Sequence, residues 1–360
     1  MKTRIRHFMA ALLLPLLLSS LAACSQLGYY GQAAQGQISL LQNARSVDSL
    51  IASPETPQQL RNRLQAARQM RQFAVDELAL PDNSSYRNYA QLKQPFVLWN
   101  VVATSSLSLT PLRWCFPVAG CVSYRGYYQH ESALEFAQQL RSEGYDVRVE
   151  GVPAYSTLGW FNDPLISTFI NAPDASLARL IFHELAHQVV YVKDDSAFNE
   201  SFATAVEQAG VQRWLDKFGN EAMRSNYEKD EGRRKDFLAL LRQYRSRLDA
   251  LYKSNASDQQ KLHDKAEIFQ ALQQDYQSIR SSWGAYAGYD RWFAEPLTNA
   301  HFVSVATYND LVPGFQAMLL QSASFPEFYR SVKQLSERDK SSRNAQLQLL
   351  AKQQNAAKSP

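Results

Sequence analysis

Two histidines four residues apart, the first followed directly by a glutamate, stand out: His183, Glu184 and His187, within Leu177-Ala-Arg-Leu-Ile-Phe-His-Glu-Leu-Ala-His-Gln-Val-Val-Tyr-Val192. The segment has no Gly or Pro, and Asp174 or Ser176 can cap its start, so it predicts a helix. Four residues advance a helix by slightly more than one turn. Both imidazoles therefore sit on one face, one above the other, where they can share a metal ion. Glu184 falls beside that face, placed to take a proton from a water the ion activates rather than to bind the ion. Glu184 is the one carboxylate between Leu180 and Val192, so the helix is expected to be largely buried. Two imidazoles and a carboxylate are costly to desolvate unless something uses them. The chemistry indicated is metal-assisted hydrolysis, with Zn2+ as the ion that two imidazoles and a carboxylate favour.

A hydrolytic zinc site needs a third protein ligand and an open position. Four acids downstream compete: Asp194, Asp195, Glu200 and Glu207. A metzincin would carry Gly and His where Val190 and Lys193 stand, which excludes that class. Asp194 and Asp195 would make an aspzincin-like arrangement, but their loop lacks the rest of that pattern. Glu207 follows at about the spacing used by several aminopeptidases. Glu200 lies in Phe198-Asn-Glu-Ser-Phe-Ala203, which resembles the Asn-Glu-x-x-Ala stretch that opens the ligand helix of gluzincins. Loop lengths between helices vary easily, so this local context favours Glu200, with Glu207 as the main rival.

The elements that must position these groups are mostly helical. From Ile38 to Leu78 apolar residues recur at helical spacing and Pro54 and Pro57 break the run, predicting two helices. Phe96–Ala103, Val122–Tyr128 and Tyr145–Val152 are rich in Val, Tyr and Phe and predict a small sheet, with a helix at about Glu131–Arg141. Residues from Ser176 to about Arg330 read as helical. Two stripes, Phe237-Leu241-Tyr244-Leu248-Leu251 and Leu262-Phe269-Leu272-Tyr276-Ile279, flank a turn at Ser254–Asp258 and predict an antiparallel hairpin. The expected fold is α+β and predominantly helical. Its domain would run over 38–335, with the sheet at about 96–152, the zinc-site helices at about 176–218 and the hairpin at about 235–283. The Gln/Lys/Ser/Asn-rich residues 336–360 predict a flexible tail.

The N-terminus carries Lys2, Arg4 and Arg6, an apolar run from Phe8 to Leu18, and Leu21-Ala-Ala-Cys24. This is the layout of a secretory signal over 1–23, and the run is too short to span a bilayer comfortably. The last four residues match a bacterial lipobox, which predicts lipidation at Cys24 and a membrane anchor there, with 24–37 as a tether. Three of the 38 basic residues fall in the signal, leaving 35 against 34 acids. That near-neutral balance gives no reason to expect a nucleic-acid partner. Cys115 and Cys121, in Trp114-Cys-Phe-Pro-Val-Ala-Gly-Cys121, can close a small disulfide loop in an oxidising compartment; a pair of buried thiols is the rival.

Taken in order, Trp114–Gly126, Ala154-Tyr-Ser-Thr-Leu-Gly-Trp-Phe-Asn-Asp-Pro164, the His183–His187 motif, Asn199–Ala203, Asn299-Ala300, Thr307-Tyr308 and Val312-Pro313 resemble a family of bacterial lipoproteins named as aminopeptidases of the zincin superfamily. The resemblance covers most of the chain after the signal; it departs at Thr298, where a second Asn is usual. It implies a gluzincin-like peptidase acting on peptides in the periplasm of a Gram-negative bacterium. Ser25 after the lipidated cysteine implies the outer membrane. It also implies a Tyr or His oxyanion donor beyond the ligands, for which Tyr308 is the first choice and Tyr155 and His301 follow. Ala154–Trp160 would border the cleft and pair with bound peptide. The alternative from another class is a non-catalytic envelope lipoprotein that binds peptides or proteins on the same fold.

Overall fold

In the computed structural model, residues 28–116, 120–154, 156–157, 159–303 and 311–358 are described. The signal segment, Cys24, Tyr155 and Tyr308 lie outside the described residues. The expected tether is helical from Gly28: α1 covers 28–42. Tertiary contacts override its polar, Gly-containing composition. Tyr29 packs on Phe116 and Tyr127 at ring separations of 5.7 and 5.5 Å, and the Arg125 guanidinium lies 4.1 Å above its ring. Gly36 is covered by the Tyr128 ring so closely that no side chain would fit.

The short strand β1 (Ala44–Ser46) leads into α2 (Val47–Ala52) and α3 (Gln58–Asp76), separated by the prolines that predicted the break. β1 pairs antiparallel with β2 (Asn88–Ala90), which pairs parallel with β8 (Leu165–Ile166). A second sheet has the order β6-β3-β7, all antiparallel, from β3 (Leu98–Ser105), β6 (Arg125–Tyr127) and β7 (Tyr145–Val152). Helix α4 (His130–Ser142) covers one face of it through Ala133, Ala137 and Leu140, against Trp99, Val101 and Val147. Between β3 and β6, β4 (Trp114–Phe116) and β5 (Gly120–Val122) form a hairpin in which Cys115 and Cys121 face each other and are joined as a disulfide.

The rest of the described residues are mainly helical: α5 (Asp174–His187), α6 (Ser196–Phe218), α7 (Glu221–Lys253), α8 (Asp258–Ser282), α9 (Val312–Gln321), α10 (Phe325–Ser336) and α11 (Lys340–Lys358). The largest core forms around α3, α5 and α6, where Leu64, Phe182, Phe198 and Phe202 are fully buried with Phe315 of α9 and Phe328 of α10. Helices α7 and α8 form the hairpin, closed over Leu241, Tyr244, Leu248, Leu272 and Tyr276. Lys265 of α8 ties it to the sheet by donating to Asp146 at 2.6 Å and to the Ser106 carbonyl at 2.8 Å. Buried Asn299 sits at the same junction. Its N–H bonds Asp146 at 2.8 Å, and its side chain accepts from the Tyr252 hydroxyl at 2.7 Å.

The tail expected to be flexible after Ser336 is instead the long helix α11, packed against α9. Gly314 makes the close approach possible, because any Cβ there would collide with the Leu347 backbone. Leu347 is fully buried and Arg343 is 6 % exposed. Arg343 donates to Asp195 at 2.7 Å, and Asp195 is itself 2 % exposed. Polar composition concealed this helix, because its main polar contact is a buried ion pair with a residue 148 positions earlier.

Removing one partner of a buried pair leaves the other charge unmatched. Arg343→Met, which leaves Asp195 only the exposed Lys340 at 3.2 Å, is expected to lower the unfolding free energy by about 3 kcal/mol. Urea denaturation measures it; a loss below about 0.5 kcal/mol would show that the pair does not anchor α11.

Candidate metal centre

Helix α5 starts directly after Pro173, which has no side-chain cap bond. Asp174, expected as a possible cap, is the first helical residue and pairs with Arg63 of α3. One face of α5 is apolar and buried (Leu177, Ala178, Ile181, Phe182, Leu185); the other carries the chemistry. The helix stops at His187 rather than running to Val192. The loop that follows is fixed by Asn199, whose side chain accepts from the Val192 N–H and donates to the Val192 carbonyl, both at 2.8 Å. That reciprocal pair explains why an Asn precedes Glu200: it sets the start of α6 against the end of α5.

Glu200 is thereby delivered to the histidines. His183 Nε2 lies 3.1 Å from His187 Nε2 and 3.2 Å from Glu200 Oε2, and His187 Nε2 lies 3.7 Å from Glu200 Oε1. Three donor atoms from His183, His187 and Glu200 thus converge, and this cluster could hold a metal ion. Glu207 stands two helical turns beyond Glu200 and is 6 % exposed. Its carboxylate is 2.8 Å from Nδ1 of His183, on the far side of the ring from the cluster. Glu207 therefore orients His183 and fixes its tautomer rather than competing for the ion. Asp194 and Asp195 are turned away. Asp194, at φ +63°, accepts from the Cys121 N–H at 2.7 Å, and Asp195 belongs to Arg343.

Charge and burial set the protonation of this cluster. Burial works to lower the pKa of His183, but the carboxylates of Glu200 and Glu207 outweigh it and raise it well above the usual histidine value. His187 moves the other way, to about 4, through burial and then the charge on His183. Glu184 is half-buried, and desolvation raises its carboxyl to about 7 with Glu200, Asp163 and Glu207 adding to the rise against His183. A carboxylate near neutrality is well matched to taking and returning a proton at neutral pH.

Sequence reasoning missed Tyr124, between β5 and β6. Its ring is 43 % exposed, yet burial around its hydroxyl, then Glu200, pushes that group to about 12, with Tyr191 and Glu184 also in electrostatic reach. Nothing but its place inside Trp114–Gly126 could have flagged it. His301 is not at the cluster: it is 2 % exposed, accepts from the Thr298 N–H at 3.1 Å and packs on Trp292. With Glu131 and Glu150 it lines a separate cavity of about 790 Å³ beside β7.

The chain matches the model of the family described as "Putative aminopeptidase" over residues 28–347. No curated protein and no solved structure matches it.

Carboxylates on both ring nitrogens favour the charged form of metal-free His183, so an ion binding at Nε2 competes with a proton. Zinc loading at pH 7 is expected to release about one proton, read as a binding enthalpy that changes with the ionisation enthalpy of the buffer. Loading should weaken as pH falls. Glu207→Gln, which keeps all three ligands, is expected to lower zinc affinity about 10–100-fold; unchanged affinity would remove its orienting role.

The match over residues 28–347, most of the chain, places it in the family described as "Putative aminopeptidase".

Proposed function

We propose that the chain is a zinc-dependent metallopeptidase, acting as an aminopeptidase on peptides in the periplasm and held to the outer membrane through Cys24. The observation that carries this reading is the convergence of His183, His187 and Glu200 with Glu184 beside them. His183 Nε2 stands 3.1 Å from His187 Nε2 and 3.2 Å from Glu200 Oε2, both close to the ligand–ligand edge of about 3.4 Å that tetrahedral bonds of about 2.0–2.1 Å require. Two neutral imidazole nitrogens and a carboxylate oxygen are a donor set that suits zinc.

Bound zinc supplies Lewis acidity, which polarises a carbonyl and acidifies a water. The chain's own residues do the rest. His183, His187 and Glu200 orient the reacting groups, with Glu207 holding the His183 ring. Glu184, one residue from a ligand and kept near neutrality by burial, takes a proton from the attacking water and returns it to the leaving amine. Tyr308, our first sequence candidate for stabilising the oxyanion, stays a proposal. Tyr124 is a further candidate, because both Glu200 and Glu184 act electrostatically on its hydroxyl. An exopeptidase must also hold the free α-amine. Asp163 is close enough to Glu184 to affect it, but its carboxylate is already engaged by Thr157 and Ser156.

Glu184→Gln removes the base and leaves the ligands. It is expected to keep about one zinc per chain and to lose about 10²–10⁴-fold in cleavage of a mixed peptide library. The cut positions from the unmutated chain separate exo- from endo-cleavage. Zinc without cleavage in the unmutated chain would favour the peptide-binding lipoprotein, and no zinc in either form would end the metal reading.

A further inference from the structure

Folding hides large apolar side chains, yet the loop between β7 and β8 displays two. Trp160 is 70 % exposed and its neighbour Phe161 is 50 % exposed. Single exposed apolar residues are ordinary; two adjacent large rings held outward call for a partner. The loop is well braced. Asp163, 3 % exposed, accepts from the Thr157 N–H at 2.9 Å, the Thr157 hydroxyl at 2.8 Å and the Ser156 hydroxyl at 3.4 Å. The Trp160 N–H bonds the Thr157 carbonyl at 3.1 Å, and the Phe161 N–H bonds the Thr157 hydroxyl at 3.0 Å. Gly159 makes the turn at φ +82°.

The same glycine fixes where the loop stands. A Cβ on it would lie 3.6 Å from the Gln188 side chain. Gln188 caps the C-terminus of α5 four residues after Glu184, and Asp163 of the same loop acts electrostatically on Glu184, so the loop borders the proton-transferring carboxylate. Two more exposed aromatics carry hydroxyls that feel the charge of Glu200. Tyr191, 39 % exposed, lies in the α5–α6 loop, and Tyr124 follows β5, which is tied to that loop through Cys121 and Asp194.

We propose that Trp160 and Phe161, together with Tyr191 and Tyr124, form an apolar rim that receives a bulky apolar side chain of a peptide substrate and so sets the specificity of the site. The proposal rests on the reading of His183, Glu184 and His187 as a peptide-cleaving centre. A lipid surface is the other occupant that exposed Trp and Phe could meet, but such surfaces pair aromatics with cations, and Ser156–Asp163 contains no Lys or Arg.

The test separates binding from turnover. In the zinc-loaded Glu184→Gln protein, calorimetry measures affinity for hexapeptides that differ only in Phe or Ala, with the position of the Phe scanned along the peptide. The best Phe peptide is expected to bind about tenfold more tightly than its Ala partner. Adding Trp160→Ser and Phe161→Ser should bring that ratio close to one, while Trp160→Phe keeps it and zinc content stays constant throughout. A ratio that survives loss of both rings, an equal loss for both peptides, or no binding of either overturns the rim. So does a response confined to adhesion on phosphatidylethanolamine–phosphatidylglycerol vesicles. Failure of the catalytic reading would look different: the unmutated chain would cleave neither peptide while the binding ratio stood.

Discussion

The structure turns on one electrostatic constraint: two imidazoles and three carboxylates are packed into and beside a single buried helix pair. Any one of these groups alone would be expensive to desolvate there. Together they are tolerable, because His183 lies between Glu200 on one nitrogen and Glu207 on the other. Burial, His183 and Glu200 then decide the rest, lowering His187 and raising Glu184. Phe182 and Leu185 on the apolar face of α5, with Phe198 and Phe202 of α6, bury the helix pair that carries these groups.

Such a cluster tolerates little error in how α5 meets α6, and the eight-residue connection between them is held from three directions. Asn199 binds Val192 from within. Asp194 reaches the disulfide-closed β4–β5 hairpin, where Gly120 at φ +74° leaves room for it. Asp195 is paired with Arg343 of α11. The first and last described helices are therefore tied to the site through intermediaries. Helix α1 packs on Phe116 and Tyr127 next to the hairpin, and α11 bonds the loop directly.

This division explains what could be read in advance. Donor types and helical spacing are local, so His183, Glu184 and His187 could be placed on one helix, and Asn-Glu-x-x-Ala pointed to Glu200. The strand Tyr145–Val152 and the α7–α8 hairpin also follow short-range periodicity. Glu207 was less legible: spacing can put a carboxylate on the right helix face, but it cannot say which nitrogen of His183 that carboxylate will meet. The 28–42 helix and α11 were hidden for a different reason. Their composition is polar, and their order comes from contacts such as Gln32 with Tyr128 and Arg343 with Asp195, between segments far apart in the chain.

Exposure within the cluster bears on whether such a site would be structural or catalytic. A structural ion is enclosed by its ligands, whereas a catalytic one keeps a position open. Here the enclosure is one-sided. The side chains of His187 and Glu207 are 7 % and 8 % exposed, while those of His183 and Glu200 are 18 % and 22 % exposed. The donor set is therefore more enclosed at His187 and more open at His183 and Glu200. An ion held by these three residues would keep a position for water, and the exposure gradient would give that position access to solvent. A site built only to hold α5 against α6 would gain nothing from such an opening, nor from a carboxylate held near neutrality at its edge. Under the proposed peptidase reading, both features serve a water that must enter, lose a proton and be replaced.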